Sequence, residues 1–73
     1  MSLPDFDLNQ KDAMAMEKFD RFMEEAEEHV KAARRHLRAG RLGVSLEAIY
    51  GAQEFTDKAV ATASDLYESL RSR

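Results

Sequence analysis

Ala39-Gly40-Arg41-Leu42-Gly43 interrupts an apolar repeat of seven that runs on both sides of it. Before this stretch Met16, Met23, Val30 and Leu37 recur every seventh position, with Phe19, Ala26 and Ala33 three places after the first three of them. After it Ile49, Thr56, Ala63 and Leu70 recur in the same way, interleaved with Ser45, Ala52, Ala59 and Leu66. A helix turns once in about 3.6 residues, so such positions share one face, and each segment is expected to be an amphipathic helix with a packing seam. The few residues between the segments make the two helices antiparallel neighbours. The expected class is therefore all-α: an antiparallel helical hairpin, with a tail at 1–8, a first helix at 9–39, a turn at 40–44 and a second helix at 45–71, in a single domain 9–73.

The ends of these helices have local signals. Short polar side chains accept hydrogen bonds from the unpaired amides of a helix start, which makes Asp7 or Asn9 the expected cap of the first helix and Ser45 that of the second. Gly40 supplies the left-handed conformation that closes helices. Pro4 and the lack of helical period mark residues 1–8 as a tail, with Phe6 and Leu8 expected over one end of the bundle. Folding the hairpin about residues 40–44 brings Phe19 near Ala63, Met23 near Ala59 or Val60, Ala26 near Thr56 and Ala33 near Ile49. Large residues thus face small ones, which lets the backbones approach without leaving a void.

At 73 residues with no cysteine, the chain has a marginal core and no disulfide or thiolate metal site to staple it, so oligomerisation is the expected remedy. The apolar surface also exceeds one seam. Phe22 continues a second row on the first helix with Ala15, His29 and His36. Leu46, Val60 and Tyr67 flank the second helix on one side, and Ala48, Phe55 and Thr62 on the other. A hairpin covers one stripe per helix, so Phe22, Phe55, Val60 and Tyr67 are expected to be wet in a monomer and to form the interface of a homodimeric four-helix bundle.

Chemistry is sparse. His29 and His36 share a helix face but lie about 10.5 Å apart along it, too far to hold one ion. Neither follows a glutamate at the three-residue spacing used by di-metal bundles. Glu24, Glu25, Glu27 and Glu28 fan around a solvent face, where Glu27 and Glu28 are placed to pair with Lys31. No nucleophile motif or phosphate loop occurs, and no catalytic, cofactor-binding or metal-ligating residue is expected. The net charge of −3 disfavours general nucleic-acid binding. Nevertheless Lys31, Arg34, Arg35, Arg38 and Arg41 cluster at the turn end, with Tyr50 nearby as a stacking surface. These residues are a candidate partner surface, although cations are also favoured by the unpaired carbonyls at a helix C-terminus, and Glu47 and Glu54 are placed to pair with them. Gly51, costly inside a helix, marks the close approach of another backbone or a slight bend.

No apolar run approaches the length needed to span a bilayer, and no leader-like segment opens the chain, so a cytoplasmic protein is expected. The functional expectation is a small non-enzymatic interaction or regulatory module that acts as a dimer through its apolar seam, possessing no cofactor and engaging a protein partner. The alternative is a small nucleic-acid-binding regulator that uses the basic turn end.

Overall fold

The computed structural model describes Leu8 and residues 10–72. A short 3-10 turn at Gln10–Asp12 leads into α1 (Ala13–Arg38), and α2 (Leu42–Arg71) returns along it. The two helices pack against each other as a hairpin, with extents of 50 × 27 × 14 Å. A single layer of two helices is the consequence, and such a layer has two broad faces open to solvent. The expected caps Asp7 and Asn9, and Phe6 of the tail, lie outside the described residues. Leu8 does reach the open end of the hairpin, where it borders a groove with Met16, Phe19 and Leu66.

The turn forms where the sequence places it. Gly40 has a φ of 78°, its amide donates to the Leu37 carbonyl at 3.0 Å, and the Arg41 amide donates to the His36 carbonyl at 2.8 Å. This paired closure satisfies two carbonyls that the end of α1 leaves free, and it needs a residue without a Cβ at the left-handed position. The second helix then starts at Leu42, so Ser45 is not its cap. Ser45 lies inside the first turn of α2 and is 2% exposed, and its hydroxyl donates across the hairpin to the Ala33 carbonyl at 2.9 Å. The short side chain permits the close approach, and the buried hydroxyl is satisfied by it.

Among the described residues most buried apolar positions are alanine. Ala26 and Ala33 of α1 meet Ala52 and Ala59 of α2, with Leu70 closing the far end. These are rows of the expected seam, but the other half of the seam is rotated. Phe22, His29 and His36 are half-buried, whereas Met16, Val30 and Leu37 of the expected seam are 40%, 45% and 57% exposed. On α2, Phe55 is half-buried and Ile49 is 48% exposed. Ala33 meets Ser45 where Ile49 was expected, whereas farther from the bend Ala26 and Thr56 border one groove and Phe19 and Ala63 another, as the expected register has them. The early start of α2 accounts for the shift of about one turn at Ala33, close to the bend. Gly51 accounts for the rotation. A Cβ at that position would overlap the His29 imidazole, so the glycine gives this ring its seat between the helices.

Candidate interaction surfaces

Helical periodicity divides the side chains between the two open faces. On the first face the rings of Phe22 and Phe55 lie 6.4 Å apart, and His29 lies 5.3 Å from Phe55. The imidazole Nδ1 bonds the Glu25 carbonyl of its own helix at 2.8 Å, which orients the ring toward Gly51. Charged side chains roof this aromatic row. Lys18 stands 5.9 Å above the Phe22 ring and Lys58 5.0 Å above the Phe55 ring, and Arg21 and Glu25 line the same groove. The lysine stems cover apolar surface while their ammonium groups stay in water.

The second face is aliphatic. Met16, Met23, Val30 and Leu37 run along α1, and Ile49, Thr56 and Ala63 run beside them along α2. Outside this α2 row lies another, Leu46, Gln53, Val60 and Tyr67, with Leu46 44% and Val60 58% exposed. Together the two α2 rows alternate four and three residues apart and contain no charge. On α1 the matching outer row reads Asp20, Glu27 and Arg34, all exposed. A shallow groove bordered by Met23, Val30, Arg34 and Thr56 runs between the helices.

The four aromatic and aliphatic residues expected to form one interface are thus distributed over both faces. Phe22 and Phe55 belong to the edge of the intrachain seam on the first face, while Val60 and Tyr67 belong to the second. The 3.6-residue period separates them, because Phe55 and Val60 lie on opposite flanks of Ala59. Met16, Val30, Leu37 and Ile49, expected within the intrachain seam, are exposed on this second face instead.

The basic turn end is similarly divided. Lys31 pairs with Glu28 at 3.4 Å, and Arg41 Nε donates to His36 Nδ1 at 3.1 Å. Arg35 and Arg38 are exposed on the flank of α1 turned away from α2, and Arg34 is exposed at the rim of the aliphatic face. Tyr50, 65% exposed, lies on the outer edge of α2, turned away from α1, and so does not stand over the arginines. Glu54 pairs with Lys58 at 3.6 Å, within its own helix and not with the basic cluster. Its position one turn before Lys58 makes that the shorter reach.

Among the described residues no group of three or more His, Asp or Glu side chains is placed to hold a metal ion. No described helix is long and apolar enough to cross a membrane. Comparisons with protein-family models, with curated proteins and with solved structures find no match to this chain.

Proposed function

We propose that the chain is a non-enzymatic cytoplasmic helical module that works as a homodimer, its aliphatic face joining the two copies and the assembled four-helix bundle serving as an interaction or regulatory unit. One observation carries this reading: an exposed aliphatic face, including Met16, Val30, Leu37, Ile49 and Val60 at 40–58% exposure, on a hairpin whose own buried core is mostly alanine. Contiguous apolar surface of this kind marks association sites, and isolated two-helix units seldom bury enough to stand alone. The division of Tyr50 from the arginines, and the local partners of Lys31 and Arg41, favour this reading over a nucleic-acid-binding regulator.

A dilution series followed by circular dichroism tests it. Helix content that falls as the protein is diluted through the micromolar range supports a fold coupled to association. Full helicity independent of concentration, together with a monomeric mass by light scattering, contradicts it.

A further inference from the structure

Resting on the dimer reading, we infer that the occupant of the aliphatic face is a second copy held about a twofold axis perpendicular to the helices, with α1 against the partner's α1 and α2 against the partner's α2. Two face-to-face arrangements of a hairpin bring antiparallel helices together. In one, α1 lies over the partner's α2; in the other, each helix lies over its own copy. Charge separates them. The outer row of α1 carries Asp20, Glu27 and Arg34, whereas both rows of α2 on this face are uncharged. Setting α1 over α2 would press these three charges against an uncharged seam, where they would be desolvated without partners. Setting each helix over its copy faces the two uncharged rows of α2 with each other, Asp57 lying on the flank beyond them, and lets the charges of α1 meet one another.

They meet with complementary order. Along this flank of α1 the carboxylates Asp20, Glu24 and Glu27 all precede the cations Lys31, Arg34 and Arg38. Reversal about a dyad between Ala26 and Glu27 superposes the acidic half on the basic half. It also sets Met16 against Leu37 and Met23 against Val30 of the second copy, so the aliphatic row maps onto itself. Asp20 then faces Arg34 of the other chain. Within one chain the two are about 21 Å apart along the helix, out of reach of each other. The same dyad brings Glu27 close to its own copy, a like-charge contact that works against association and gives the arrangement a distinctive signature.

The lack of native cysteine makes single-site spin labelling direct. Labels at Glu17→Cys, Glu24→Cys and Arg35→Cys, on the exposed edge of α1, are expected at axial separations of about 29, 8 and 26 Å between the two copies, from the helical rise and the distance of each site to the dyad. A minimum at residue 24 supports the antiparallel pairing. Equal separations at all three sites in a protein that sediments as a dimer overturn this topology while leaving dimerisation intact. A monomer by sedimentation, with no dipolar coupling, overturns the dimer reading itself. Charge exchange gives a second readout. Asp20→Lys is expected to weaken association about tenfold, and Asp20→Lys with Arg34→Glu to restore most of it, because the pair is rebuilt across the interface. Glu27→Gln should tighten association. A double variant no better than Asp20→Lys alone overturns the pairing.

Discussion

The two broad faces of the hairpin both carry large apolar side chains, yet they are finished differently. On one face Phe22 and Phe55 lie at the edge of the intrachain seam, with Lys18 and Lys58 above their rings. On the other, the α1 side of the groove that Met23 and Val30 border also carries Glu27, Lys31 and Arg34, whereas the α2 half of the face, with Ile49 and Val60 exposed, carries no charge across two rows. An aromatic residue roofed by its own chain's lysines is compatible with water. An uncharged, exposed pair of rows such as those of α2 calls for another surface. The comparison teaches that the apolar character of a position says less about its role than the charged residues one turn away from it.

The sharpest way to break the comparison is a charge placed on each face. Val60→Glu should weaken self-association by about a hundredfold or more, since each of two copies would bring an unpaired carboxylate into the contact. Urea titration at saturating concentration should show the same collapse. The core beneath both faces comes next. Ala59, 1% exposed, should tolerate no enlargement: Ala59→Leu is expected to cost about 1–3 kcal/mol by overpacking, measured as a lower urea midpoint. Ala61→Leu, on the outer edge of α2, should leave that midpoint nearly unchanged. Ala63→Leu, exposed on the aliphatic face, should alter association more than hairpin packing.

Gly51 sharpens the aromatic side of the comparison. In the presence of His29 the change Gly51→Ala should destabilise, because the new Cβ overlaps the imidazole. In a His29→Ala background the same change should stabilise by up to about 1 kcal/mol, the ordinary preference for alanine inside a helix. A double-mutant cycle that shows this change of sign identifies the ring as the reason for the glycine. Ser45→Ala is expected to cost about 0.5–1.5 kcal/mol through loss of the hydroxyl bond to the Ala33 carbonyl. The exposed pair of Glu28 and Lys31 ranks last, and Glu28→Gln should change stability by about 1 kcal/mol or less.

Much of this architecture is legible in the heptads. The two-helix all-α hairpin, the turn at Gly40 and the alanine rows Ala26, Ala33, Ala52 and Ala59 follow from periodicity and glycine chemistry alone. The phase of the seam does not. Three adjacent rows on α1 carry apolar or neutral side chains, and a period of seven cannot tell which two of them face α2. That choice depends on Gly51 admitting the His29 ring and on α2 beginning at Leu42, neither of which has a periodic signature. The site was less legible for the same reason: once Met16, Val30 and Leu37 are assigned inward, Phe22 and Phe55 are left over as apparent surface. Gly51 has a signal in its cost to helix stability, but what approaches it is the His29 side chain and not the backbone that the signal suggests.

Sedimentation equilibrium of three proteins side by side tests the central claim most directly, because Lys58 and Val60 flank the buried Ala59 on the two opposite faces. The account predicts that wild type and Lys58→Glu sediment at twice the 8.3 kDa chain mass in the micromolar range, while Val60→Glu sediments as a single chain. A wild type of 8.3 kDa at every concentration, or a dimer that Lys58→Glu dissociates and Val60→Glu leaves intact, would contradict it.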